Sequence, residues 1–163
     1  MPVLAKAHRI KKEIEVMAAT AASAHELMNG IVTCLNEGVL KFNWVGFYML
    51  EEEKNGQQPM LVLCAFVGAM TPHTRIALHQ GICGAAASSG QAVVVDDVQS
   101  DPRYLACSLE TKSEIVVPIF VHGKVVGELD IDSHFPAAFG SEECELVEYC
   151  ARVVGQFMEK SGS

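Results

Sequence analysis

The chain has 163 residues, 50% of them apolar, which suits one domain with a sizeable core and leaves little room for a second. With 12 Lys and Arg against 20 Asp and Glu, the formal net charge is -8; such a surface repels phosphate backbones and argues against nucleic acid as a partner. The longest apolar runs, such as 115–121, are broken by Pro118 and stop at His122-Gly123, too short to cross a membrane. The opening MPVLAKAHRIKKEIEV mixes charge into a helical period and lacks a secretory pattern, so the expected location is the cytosol. In that compartment the 6 cysteines, none in a C-x-x-C pair, are expected to be mostly reduced.

Residues 1–40 read as N-terminal helices: 3–28 carry apolar positions at helical spacing, Asn29-Gly30 punctuates them, and a second helical stretch runs to about Glu37. WVGFYML, KNGQQ and MLVLCAFV then form a hairpin pattern, two apolar runs around a polar turn containing Asn-Gly. ICGAAASSG reads as a helix of small residues ending at Gly90, and AVVVDDV as a strand. EIVVPIFV and KVVGELDID follow as strands joined at His122-Gly123, a connection short enough to require an antiparallel pair. A C-terminal helix over 141–160 takes Ser141 as its N-cap, with Leu146, Cys150, Val153, Val154 and Phe157 as its apolar stripe. The expected fold is a single α/β domain with a largely antiparallel central sheet flanked by helices.

Candidate chemistry concentrates in three places. The glycine-rich GICGAA lacks the lysine and hydroxyl pair of a P-loop and the third glycine of a dinucleotide fingerprint. Cys83, at the start of that helix, has two readings: a thiolate favoured by unpaired backbone N–H groups and the dipole's positive end, or a small residue that lets helix and sheet approach closely. Cys107 stands in SDPRYLACSLETKSE, a polar connection between strands of the kind that carries site residues, whereas Cys34, Cys64, Cys144 and Cys150 lie in helix or strand patterns and read as packing residues. In GELDIDS, Asp130 and Asp132 alternate around Ile131 and share a face. Glu114 opens the neighbouring strand and can join them. Three acids beside a thiol suit an ammonium ligand, a metal, or a protonated carboxylic acid acting as donor; a solvated sheet edge is the plain alternative.

NWVGFY at 43–48, RIALHQGICGAA at 75–86, YLAC at 104–107, SEIVVPI at 113–119 and GELDIDS at 127–133 together resemble the GAF-domain free methionine-(R)-sulfoxide reductases, oxidoreductases acting on sulfur. The resemblance implies a six-stranded antiparallel sheet flanked by helices, a homodimer, and no bound cofactor. By position it implies that Cys107 attacks the sulfoxide sulfur and becomes a sulfenic acid. It also implies that Glu114, Asp130 and Asp132 hold the amino group and the sulfoxide oxygen, and that Trp44 and Tyr48 wall the methyl-thio end. The sulfenic acid is then resolved by Cys83 or an external thiol, with thioredoxin or a small thiol as reductant.

One position departs from the family pattern, which has a cysteine just before the R-I dipeptide; this chain has His73 there, in PHTRI. Two further functions therefore stand beside the reductase. One is a metal-dependent GAF enzyme or sensor holding zinc, iron or copper through His73, Cys83 and Cys107. The other is a silent GAF module that binds a small molecule.

Overall fold

The computed structural model describes residues 3–52, 56, 58–105 and 109–162. Two helices open the chain, α1 (Val3–Thr20) and α2 (Ala24–Gly38). The break between them falls at residues 21–23, not at Asn29-Gly30. Ser23 caps α2 by accepting from the Glu26 backbone N–H, while the Glu26 carboxylate accepts from that of Ala22, so the first turn's orphan donors are met where the capping residues stand. Gly30 lies inside α2 because α1 crosses there: a Cβ at 30 would sit 2.8 Å from Met17 Sδ.

Six strands follow among the described residues: β1 (Trp44–Glu51), β2 (Met60–Val67), a short β3 (Arg75–Ala77), β4 (Val93–Val95), β5 (Ser113–Val121) and β6 (Lys124–Ser133). They form one antiparallel sheet of 6 strands in the order β3-β2-β1-β6-β5-β4. The sequence reading missed β3, whose 3 residues are too few to show a period, and AVVVDDV contributes 3 strand residues before a 3₁₀ turn at Val98–Ser100. His122 and Gly123 make the β5–β6 turn with φ of 50° and 78°, the left-handed pair that a two-residue hairpin of this twist requires. Pro118 is tolerated within β5 because β4 pairs with it only from Glu114 to Val116, leaving the outer side of the strand open where the N–H is missing.

α3 (Gly81–Ser89) lies between β3 and β4 in the chain, and α4 (Ser141–Ser161) ends it. The N-cap of α4 is Gly140, one residue before the expected Ser141, and the Glu143 carboxylate accepts from the Gly140 N–H. Strand alternation divides the sheet's two faces cleanly. Val45, Phe47, Ile115, Val117, Ile119, Leu129 and Ile131 face α1, α2 and α4 in the larger core. Trp44, Tyr48 and Val116 face the other way, in a smaller cluster with Ile82, Cys83 and Ala86 of α3. Among the described residues no helix is long and apolar enough to cross a membrane.

Candidate functional site

The smaller face carries the chemistry. β6 is an interior strand, and its alternation places Glu128, Asp130 and Asp132 on one side. The register sets Asp132 between Trp44 and Glu114, Asp130 between Gly46 and Val116, and Glu128 between Tyr48 and Pro118. All four carboxylic acids are buried, from 0% exposed at Glu128 to 5% at Glu114 and Asp132. The solvated-edge alternative is thereby excluded. Glu114 does join the two aspartates, as the spacing suggests; Glu128 escaped the sequence reading, although its two-residue offset from Asp130 is the same alternation.

Cys83 reaches the acids from the opposite side. α3 settles onto the β3 turn because Gly84 has no side chain: a Cβ there would lie 2.9 Å from the Leu78 carbonyl oxygen. Cys83 then points at β6, and its Sγ donates to Asp130 Oδ2 at 3.3 Å. Burial pushes this thiol well up, and the carboxylates of Asp130, Glu128 and Glu114 push it further. Of the two readings of Cys83, the thiolate at the helix start therefore gives way to the buried thiol packed between helix and sheet. A helix terminus favours an anion by a fraction of a charge, whereas this one faces buried acids in a space closed to water.

Burial raises the pKa of all four acids, with different second causes. Burial raises Glu114 well above the usual carboxylate range, helped by the charges of Asp130 and Asp132. It raises Asp132 likewise, with Asp130 adding repulsion. Asp130 is also raised by burial, but hydrogen bonds with Glu114 and Cys83 favour its ionised form. Glu128 is raised well above by burial, with the Cys83 thiol pulling the other way. Neither Glu128 oxygen has a hydrogen-bond partner among the described residues, and one oxygen each of Asp130 and Asp132 is also unmatched. Such a face offers a proton donor and an acceptor within one strand step of each other.

Trp44 and Tyr48 wall the adjoining cavity as expected. The indole lies along the sheet over Gly46, where a Cβ would be 2.3 Å from its Cη2, and beside Gly68, where a Cβ would be 2.6 Å from its Cδ1. It stacks on Phe66 at 5.8 Å between ring centroids and donates through Nε1 to the Ala69 carbonyl at 3.1 Å. Tyr48 donates its hydroxyl to the His73 carbonyl at 2.6 Å, which ties the PHTRI loop to β1. The cavity, of about 170 Å³, is lined by Trp44, Tyr48, Asp130 and Asp132, with Glu110 and His134 at its polar rim. A smaller space of about 20 Å³ behind it is bordered by His73, Cys83, Glu114 and Asp130.

Cys107 lies outside the described residues, within 106–108. Of the metal set His73, Cys83 and Cys107, His73 and Cys83 border the same small space. Among the described residues, however, the donors close enough to share an ion are those of Cys83, Glu114 and Asp130, all within 4.8 Å of one another. Cys34 and Cys150 are buried in the larger core, and Cys64 and Cys144 are half-buried, in agreement with a packing role.

Residues 14–158 match the GAF domain family. A free methionine-R-sulfoxide reductase of Escherichia coli is 31% identical over 134 residues, 82% of this chain and 77% of the relative. The solved type II free methionine-R-sulfoxide reductase of Thermoplasma acidophilum is 39% identical with a TM-score of 0.76, covering 84% of this chain and 93% of that one. The X-ray structure of free methionine-R-sulfoxide reductase from Neisseria meningitidis in complex with its substrate is 31% identical with a TM-score of 0.86, covering 96% of this chain and 92% of that one.

Proposed function

Because the chain belongs to the GAF-domain free methionine-R-sulfoxide reductase family, we propose that it reduces free methionine-(R)-sulfoxide to methionine, with Cys107 as the nucleophile. The observation that carries this reading is the pair of buried acids with raised pKa, Asp132 in the cavity walled by the Trp44 and Tyr48 rings and Glu114 beside it in the adjoining small space. A sulfoxide oxygen is a poor leaving group until it is protonated, and burial lets a carboxylic acid keep its proton to higher pH.

In this reaction the Cys107 sulfur attacks the substrate sulfur while Glu114 or Asp132 hydrogen-bonds to and protonates the oxygen. The substrate's S–O bond breaks and an S–O bond forms on Cys107. The substrate sulfur gains two electrons and leaves as the thioether of methionine; Cys107 loses two and becomes a sulfenic acid. The proton taken from the acid is balanced by the one given up by the Cys107 thiol. Asp130, where hydrogen bonds with Glu114 and Cys83 offset part of the rise that burial causes, is the acid assigned to the substrate's ammonium group. The Trp44 face receives the methyl-thio end.

For recycling, we assign the resolving role to an external thiol. Cys83 is buried, donates a hydrogen bond to Asp130, and is held in the thiol form, whereas attack on a sulfenic acid requires a thiolate. One external thiol condenses with the sulfenic acid, releasing water and leaving a mixed disulfide; a second, from a dithiol such as thioredoxin or from another small thiol, releases Cys107. Single-turnover reduction by excess enzyme, followed by mass measurement of Cys107, tests the reading. A gain of one oxygen on Cys107, or the covalent adduct of a sulfenic-acid trapping reagent there, supports it, and an unmodified Cys107 after methionine has formed contradicts it. The functional partners follow as free methionine sulfoxide and a thiol reductant, with a homodimer as the proposed assembly.

A further inference from the structure

The rim of the 170 Å³ cavity carries a charge arrangement that the reaction itself does not use. His134 Nε2 lies 3.5 Å from Glu110 Oε2, an ion pair when the imidazole is protonated. His134 follows the end of β6 and its backbone N–H donates to Asn43 Oδ1 at 2.7 Å, so its start point is fixed by the segment that leads into β1. Glu110 lies beside Thr111, which is buried at 3% exposure. Both side chains are themselves substantially exposed at the cavity mouth, 42% for His134 and 74% for Glu110. Apart from the Tyr48 hydroxyl, the other ionisable groups lining the cavity among the described residues are the acids Asp130 and Asp132.

A free amino acid brings its own carboxylate into this acidic surrounding. Placed against Asp130, Asp132 or Glu110 it meets like charge, which disfavours binding. Among the described lining residues His134 is the basic one. It stands two positions beyond Asp132, roughly 6–7 Å along an extended chain, which is the reach of an extended methionine side chain between sulfoxide and carboxylate.

We propose that His134 is the α-carboxylate subsite, oriented by Glu110, so that His134 together with Asp130, which takes the α-ammonium, reads the zwitterion of a free amino acid. The proposal rests on the reductase reading above and deepens it. The His134 and Glu110 side chains face each other at the cavity mouth, and the substrate's carboxylate replaces Glu110 on the imidazole while its ammonium goes to Asp130. A peptide-bound residue has neither charge on its α-carbon, so the same pair gives a physical basis for discrimination against peptides. Imidazole donates to a carboxylate in a single charge-assisted hydrogen bond.

The test compares free methionine-(R)-sulfoxide with its methyl ester, which keeps the ammonium and the sulfoxide and loses the carboxylate charge. The quantity read is the ratio of kcat/KM for acid over ester, in the wild type and in His134→Gln and His134→Lys. The expected result is a wild-type ratio well above one that falls about tenfold in His134→Gln, the order of one charge-assisted hydrogen bond, and recovers in part in His134→Lys. If His134→Gln lowers acid and ester equally, or leaves the ratio at its wild-type value, the subsite assignment is overturned while the reductase reading stands. If the wild type reduces neither compound, the reductase reading itself fails. Thermal melts of both variants accompany the kinetics, because a half-exposed side chain should leave the fold's midpoint within a few degrees of wild type.

Discussion

Glu128→Met is the substitution whose outcome the structure fixes most sharply. Glu128 is fully buried between Tyr48 and Pro118 on the face of β6, with neither carboxyl oxygen paired among the described residues. An unsatisfied buried polar group costs about 1–3 kcal/mol, a cost that an apolar side chain of the same shape removes. Methionine keeps the unbranched shape, so a gain of about 2 kcal/mol is expected, or about 4–8 °C in the midpoint for a domain of this size.

The gain depends on pH in a definite direction. Burial raises the folded-state pKa of Glu128 above its unfolded value, so between the two values the native protein holds a proton that the unfolded chain has released. Stability is then lost as pH rises through that window, by at most about 1.4 kcal/mol per pH unit for one group. The advantage of Glu128→Met should therefore be larger at pH 8 than at pH 5. Calorimetric or circular-dichroism melts at both pH values check it. A lower midpoint for the variant at pH 8, or an advantage that does not change with pH, would refute the reasoning.

Three other outcomes follow from the same site. Asp132→Asn keeps the shape and removes the proton donor, and single-turnover rates should fall by roughly 10²–10⁴ with little change in the melting midpoint. Gly46→Ala would put a Cβ 2.3 Å from Trp44 Cη2, forcing the indole off its seat; a loss of about 1–3 kcal/mol in denaturant unfolding and a raised KM are expected. Cys83→Ser should retain multiple turnover with dithiothreitol, because its thiol serves as a donor to Asp130; a block after one turnover would restore the resolving role to Cys83.

The sheet was legible wherever apolar alternation ran for a full strand, and so was the partnership of Glu114 with Asp130 and Asp132, because period and hairpin length together set their register. Three features were not. Asn29-Gly30 looked like punctuation, but a tight crossing with Met17 uses the glycine inside a helix, a tertiary demand that overrides local propensity. The helix start at Cys83 suggested a stabilised thiolate, and only the fold reveals the acids facing it. Glu128 was hidden by expectation: a carboxylate in a strand ordinarily marks a solvent-facing position, and nothing local shows that α3 covers that side of β6. The rim pair His134 and Glu110 lies in flanking turns far apart in sequence, and strand register alone could not join them.

The central claim is that this acid-lined GAF cavity reduces the free amino acid and one sulfoxide epimer of it. It is tested most directly by incubating the purified protein with dithiothreitol and, separately, free methionine-(R)-sulfoxide, free methionine-(S)-sulfoxide and a peptide containing methionine sulfoxide, and measuring the methionine formed. Methionine from the free R epimer alone is the predicted result; no reduction of that epimer, or equal reduction of the peptide, would contradict the account.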